Sequence, residues 1–135
     1  TTGTIYGVYD LSGGAWEYQS AYVNNSNIGQ GASVKNAITK YKDIYPITTD
    51  TAALNYASAI NLKGEAIYET SSSYSGSTSW FGDYSGMPTG GNSYMIRGGR
   101  FANGASSGLY ASGGSWAGVN STNTFRPVLL VKDGL

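Results

Sequence analysis

The sequence predicts an α+β fold. Apolar and polar residues alternate in short runs near both ends of the chain, while two segments between residues 32 and 60 place their apolar residues at helical spacing. Turn-forming stretches rich in Gly, Ser and Asn separate these runs with no fixed repeat period. With 135 residues, the chain reads as one domain, 1–135, long enough to bury a core.

Residues 4 to 11, "TIYGVYDL", alternate well enough for a first strand, and "AWEYQSAYV" at 15 to 23 continues as a second strand or an irregular extended segment. The Gly13–Gly14 pair between them marks a tight turn. After "NNSNIGQG" breaks the pattern, Val34, Ala37, Ile38 and Tyr41 form the stripe of an amphipathic helix over about 32–42, with Lys35, Lys40 and Lys42 on its solvated side. Pro46 stops that element. A second helix is expected over about 50–60 in "TTDTAALNYASAI", capped by Thr48, Thr49 or Asp50.

"EAIYETS" at 65 to 71 reads as a strand, and residues 71 to 93 as a long loop. That loop is too aromatic, with Tyr74, Trp80, Phe81 and Tyr84, for a disordered linker and is expected to pack against something. Three more strands are expected at 93–99, 107–112 and 124–132, joined by "RFANGAS" and "GGSWAGVNSTN" as loops. The expected core includes Trp16, Ile96, Leu109 and Phe125.

Composition narrows the chemistry. Net charge is zero and 12% of residues are charged, so the chain carries no electrostatic footprint for nucleic acid or an anionic membrane. There is no Cys and no His, which removes disulfides, thiol nucleophiles, the commonest general base and the commonest transition-metal ligand. Ser is abundant, but with no His and no S-x-x-K it has no evident activator. "GGRFANG" lacks the spacing and the following helix of a phosphate-binding loop. The carboxylates Asp10 with Glu17, Glu65 with Glu69, and Asp83 show no spacing that singles out a glycosidase pair. Sequons at Asn24 and Asn120 are of the kind that arise by chance in a chain rich in Asn and Ser.

No apolar run approaches the roughly 20 residues of a membrane span. The abrupt start "TTGTIYG" leads us to expect an anchoring or targeting segment upstream. The 20 Gly, 12 Tyr and 3 Trp, with many Ser and Asn, resemble the vocabulary of a paratope.

Glu17 lies between Trp16 and Tyr18, and a carboxylate partly buried there needs a cation or several donors. Arg97 in "MIRGG" and Arg126 in "TFRPVLL" each lie inside an apolar strand pattern and need an acceptor in turn, which makes Glu17 their natural partner.

Taken in order, "IYGVYDLSGGAWEY", "YMIRGG" and "TFRPVLL" resemble the signature of the formylglycine-generating-enzyme-like branch of the C-type lectin fold. In that branch a segment like "YGLYDMSGNVWEW" precedes "RGGSW", and the chain closes on "GFRPV". The likeness covers both ends of the chain and skips the middle. It implies a C-type-lectin-like α+β domain with two short helices and small antiparallel sheets. The cysteines or histidines that serve catalysis in such enzymes have no counterpart here, so the resemblance points to the non-catalytic members. These are the variable ligand-binding proteins diversified by retroelements, including phage receptor-binding proteins, and pilin-like surface proteins of Gram-positive bacteria.

The implied function is a ligand- or receptor-binding domain displayed outside the cell, on a cell or virion surface. Its partner would be a protein or glycan, with no nucleic acid and no membrane contact by the domain itself. The alternative is a structural subunit or decoration domain of a filament or phage particle. In the diversified proteins the span between "RGG" and "FR" carries the ligand contacts, which map here to Arg100, Ala102, Asn103, Ser112, Ser115, Trp116, Asn120, Thr122 and Asn123. Phe101, also in that span, is expected to be buried, whereas Trp116 is expected as an exposed anchor.

Trp16, Glu17, Arg97, Phe125 and Arg126 are the expected structural residues. Calcium-containing relatives imply a ligand set of Asp10, Gly13, Ala15 and Glu17, and oxygen donors of that kind suit a hard cation. The competing reading pairs Glu17 with Arg97 or Arg126 and needs no cofactor. Two features depart from the pattern: Gly14 replaces the usual Asn, and the Glu-Pro-Asn type triplet of sugar-binding lectins is absent.

Overall fold

The computed structural model describes residues 13–23, 35–45, 51–59, 66–89, 91–116 and 118–125. The expected strand at 4–11, the candidate caps Thr48, Thr49 and Asp50, and the segment 126–132 lie outside the described residues. Within them the chain is α+β, a central sheet with short helices and a separate two-stranded ribbon.

Strand β1 (Trp16–Val23) is the axis of the sheet. Its aromatic residues favour a pleated, half-buried surface. On one edge it pairs antiparallel with β5 (Tyr94–Arg97), setting Glu17 opposite Arg97, Tyr18 opposite Ile96 and Tyr22 opposite Tyr94. Two short parallel strands divide the other edge: β7 (Asn123–Thr124) beside Trp16 and Glu17, and β2 (Asp43–Tyr45) beside residues 21–23. β6 (Ser112–Ser115) extends the sheet antiparallel beyond β5. β3 (Ser75–Gly76) and β4 (Ser85–Gly86) make the separate ribbon. The first and last described segments therefore lie side by side at β1 and β7.

Between Tyr18 and Tyr22, β1 uses four steps where β5 uses two, from Ile96 to Tyr94. The surplus falls at Gln19 and Ser20, which are exposed. A bulge of this kind lets the strand bend without reversing its faces, because an insertion of two preserves the alternation.

Both faces of β5 are covered, so Tyr94, Met95 and Ile96 are buried in succession. Successive side chains leave a strand on opposite faces, and the neighbours Met95 and Ile96 accordingly belong to different clusters. Ile96 packs with Trp16 and Ala111, flanked by Tyr18. Met95 packs with Ala21, Ile67 and Met87, flanked by Ala52, Tyr56 and Tyr68. Trp16 and Ile96 are thus core residues as expected, but Leu109 and Phe125 are 55% and 73% exposed. Ala111 takes the place assigned to Leu109, because 108–111 is a turn that carries the Leu109 side chain outward.

The helix Ala52–Ala59 forms where the sequence predicts one. Thr51 serves its first turn, its Oγ1 accepting the Leu54 N–H at 3.4 Å. Fully buried Asn55 donates from Nδ2 to the Pro88 carbonyl at 2.7 Å, tying the helix to the loop after β4. The expected helix over 32–42 is largely replaced: among its described residues only Lys35 and Asn36 are helical, followed by a 3₁₀ turn at Thr39–Tyr41. Ile38 of the expected apolar stripe is exposed there, and the chain delivers β2 to the edge of β1.

The expected strand at 65–71 is a helix, Ala66–Thr70. Its period is set by burial of Ile67 and Thr70, three apart, and Tyr68 stacks on Tyr56 with ring centroids 4.4 Å apart. Packing overrides the strand preference of Ile and Tyr. The strand expected at 107–112 is displaced into "SGGS" at Ser112–Ser115, in a segment predicted as loop. Glycine is needed in that strand because a Cβ on Gly114 would lie 2.7 Å from the Asn92 carbonyl oxygen and 2.9 Å from Pro88 Cα, where the 88–92 backbone crosses.

Candidate functional site

The segment from Arg100 to Asn123 returns to the sheet through one connected set of polar contacts. The Arg100 N–H donates to Asn103 Oδ1 at 3.1 Å, and the Asn103 N–H donates to the Arg100 carbonyl at 2.9 Å. This pair starts the 3₁₀ segment Phe101–Ser106. Arg100 Nη1 reaches Thr122 Oγ1 at 3.3 Å, while Arg100 Nε is buried without a hydrogen-bond partner. Thr122 closes a local turn by donating from its N–H and Oγ1 to Asn120 Oδ1, at 2.9 and 2.7 Å. Asn123 Nδ2 donates to Tyr18 Oη at 3.0 Å and to Ser115 Oγ at 3.2 Å, and those two hydroxyls are 2.8 Å apart.

This network divides the residues expected to contact ligand. Ala102, Trp116 and Asn120 are exposed, and Arg100, Asn103, Thr122 and Asn123 are partly buried. Ser112 and Ser115 are buried, at 1% and 6% exposure, and do not face solvent. The reason is their place in β6, where Ser112 Oγ accepts the Gly86 N–H of β4 and Ser115 meets Tyr18 and Asn123. Phe101 corrects the sequence reading in the other direction, being 77% exposed because the 3₁₀ segment has no buried side. Trp116 lies against Gly118, where any Cβ would meet the indole ring.

A second group of exposed side chains adjoins this segment. The turn Trp80–Gly82 is closed by Gly82 N–H to the Ser79 carbonyl at 3.0 Å and Asp83 N–H to the Trp80 carbonyl at 3.3 Å. It leaves Trp80 54% and Phe81 88% exposed. Both rings meet Tyr110: Trp80 edge-on at 5.2 Å and Phe81 stacked at 5.8 Å. Phe81 has φ 61°, a left-handed conformation that is a strained outlier for a bulky side chain. The buried Asp83 carboxylate accepts the Tyr110 N–H at 2.9 Å and so fixes the third ring's backbone. Ser106 links the two groups, with its Oγ 2.6 Å from Ser77 Oγ and its carbonyl accepting the Tyr84 N–H at 2.8 Å.

The sequence reading put Trp80 and Phe81 in a loop packed against something and gave Asp83 no positional role. The Gly82–Asp83 pair, a turn signature directly after two aromatics, is the signal that would have projected those rings outward. From 71 to 125 the only charged residues are Asp83, Arg97 and Arg100, none of them fully exposed.

Of the implied calcium ligands, Gly13, Ala15 and Glu17 are described and Asp10 is not; Arg126 also lies outside the described residues. Gly13, at φ 84°, donates its N–H to the Gly98 carbonyl at 2.8 Å, and Gly14 accepts the Phe101 N–H at 3.2 Å. This turn therefore joins the start of β1 to the stretch 98–101 that follows β5. Glu17 faces Arg97 across the ladder. Among the described residues no three His, Cys, Asp or Glu side chains group as a metal site, and no helix is long and apolar enough to cross a membrane.

Comparison of the chain with protein-family models, with curated proteins and with solved structures finds no match.

Proposed function

We propose that this chain is a non-catalytic, surface-displayed ligand-binding domain, built on a C-type-lectin-like scaffold, that engages a protein or glycan through its exposed aromatic rim. One observation carries the reading: Trp80 and Phe81 are held in solvent against Tyr110 by a strained turn anchored on a buried carboxylate. Scattered exposed apolar residues are ordinary, whereas a contiguous group of rings kept outward at a conformational cost is what a binding surface requires. Phe101 and Trp116 add exposed rings on the adjoining segment. The scaffold reading is supported by β1, which holds the end of the first signature segment, pairing with β5 of the second and with Thr124, the first residue of the third. Arg97 at the register position opposite Glu17 favours an arrangement without calcium, since cross-strand neighbours of opposite charge offset each other.

The test is capture on protein and glycan arrays by the wild-type chain and by Trp80→Ala, Phe81→Gly and Trp116→Ala. A ligand retained by wild type and lost by variants that melt no lower than wild type supports the proposal. Absence of any ligand, capture indifferent to all three changes, or self-association as the only interaction overturns it.

A further inference from the structure

A cleft of about 230 Å³ opens between the helix Ala52–Ala59, the β3–β4 ribbon and the loop after β4. None of Trp80, Phe81, Tyr110 or Trp116 lines it. Its walls carry the rings of Tyr74 and Tyr84, each a little over one-third exposed, and the polar groups of Ser75, Thr89 and Asn92. Buried Met87 also lines it.

The cleft is built into the fold. At its glycines other atoms stand where side chains would go: a Cβ on Gly86 would come within 3.2 Å of Gly113 Cα, and one on Gly114 would strike the 88–92 backbone. Asn55 pins the Pro88 carbonyl from below, and Thr89 and Asn92 fix each other's backbone, with Thr89 N–H to Asn92 O at 3.0 Å and Asn92 N–H to Thr89 Oγ1 at 3.2 Å.

These bonds leave much of the lining's polar capacity unused. Among the described residues, Tyr74 Oη, Ser75 Oγ, Tyr84 Oη and the Asn92 side-chain amide take part in no hydrogen bond. No described residue of the lining is charged. A ligand that suits this cleft is neutral, matches hydroxyl and amide partners with hydroxyls of its own, and offers a C–H face to an aromatic ring, whose π face is negative. The volume falls below the roughly 300–1,000 Å³ of drug-sized pockets, so it fits one ring rather than an extended chain.

We propose that this cleft binds a single uncharged pyranose, either a free monosaccharide or the terminal unit of a glycan, without a metal ion. The site is separate from the aromatic rim and stands on its own observations.

The test is an NMR titration of the isotope-labelled chain with the methyl pyranosides of glucose, galactose and mannose, in the presence of chelator. Methyl glucuronide serves as the charged control. The expected result is that at least one neutral pyranoside shifts the Gly86 and Gly114 amides and the Asn92 side-chain signals, with a Kd of about 1 mM, ordinary for a ligand of this size. Asn92→Ala and Ser75→Ala, checked for an otherwise preserved spectrum, are each expected to weaken binding roughly three- to tenfold. Trp80→Ala and Trp116→Ala should leave it unchanged, which separates this proposal from that for the rim.

A trisaccharide ending in the preferred unit should bind at least as tightly if the natural ligand is a glycan end, and more weakly if it is a free sugar. The proposal is overturned if no neutral pyranoside shifts these signals. It is equally overturned if the cleft variants bind unchanged, if the rim variants abolish binding, or if methyl glucuronide binds as tightly as the neutral sugars.

Discussion

Glu17 and Arg97 stand directly opposite each other in the antiparallel ladder of β1 and β5, both partly buried. Opposite charges across a ladder contribute roughly 0.2–1 kcal/mol, less than the roughly 3–5 kcal/mol lost when a fully buried pair is broken. Glu17→Ala is therefore expected to cost about 1 kcal/mol in urea unfolding, and the exchange Glu17→Arg with Arg97→Glu to recover most of it. Wild-type melting should be indifferent to chelator. A chelator-dependent melt, restored by Ca²⁺, would return Glu17 to the role of calcium ligand.

Phe81 combines 88% exposure with a left-handed backbone, so its ring adds little burial while its conformation costs stability. Phe81→Gly should raise unfolding stability by about 1 kcal/mol, the order of the left-handed penalty for an L-residue. The same change should weaken binding at the rim. A destabilised Phe81→Gly would show that the stacked contact with Tyr110 outweighs the strain.

Gly118 lies where a side chain would overlap the indole of Trp116. Gly118→Ala should push the ring outward, shifting tryptophan emission to longer wavelength and costing about 1 kcal/mol by overpacking. Gly91→Ala is the control, because a Cβ at Gly91 meets nothing within 4 Å. Equal spectra for the two variants would place the indole away from Gly118 in solution.

Tyr94 is 2% exposed and its hydroxyl is buried without a hydrogen-bond partner. Burial, with Tyr22 adding to it, raises the phenol above its ordinary 10.0. The folded state thus holds this proton more tightly than the unfolded chain. The resulting stability is fully present below the unfolded value, about pH 10, and is lost as pH rises through the folded one. Tyr94→Phe removes both the orphan hydroxyl and the titration. It should be more stable by about 1 kcal/mol at neutral pH and should lose less stability from about pH 9 to pH 12 in melts. A variant less stable than wild type at neutral pH would mean that the hydroxyl has a partner, such as an internal water.

The elements legible in the sequence were those whose own residues decide them. β1 and β5 carry aromatic and aliphatic residues suited to a sheet, and the helix Ala52–Ala59 follows a run of helix formers. β6 was missed because "SGGS" has almost no side chain to read; it is a strand because the 88–92 backbone and β4 leave room only for glycine and serine there. "AIYET" was misread for the opposite reason, since its strand-forming residues serve a helix whose period is fixed by the Met95 cluster. At the site, the sequence placed Trp116 outside correctly, but Ser112, Ser115 and Phe101 depend on which way each local segment turns. That is decided by contacts with residues as distant as Tyr18, 97 positions from Ser115.

The scarcity of charge between residues 71 and 125 has a kinetic consequence. Where this segment forms the contact, no long-range field guides a partner into place, so association should proceed at an unsteered rate of about 10⁵–10⁶ M⁻¹s⁻¹ and change little with ionic strength. Discrimination between partners would then reside almost wholly in how long each complex lasts, a quantity set by ring packing rather than by attraction at a distance.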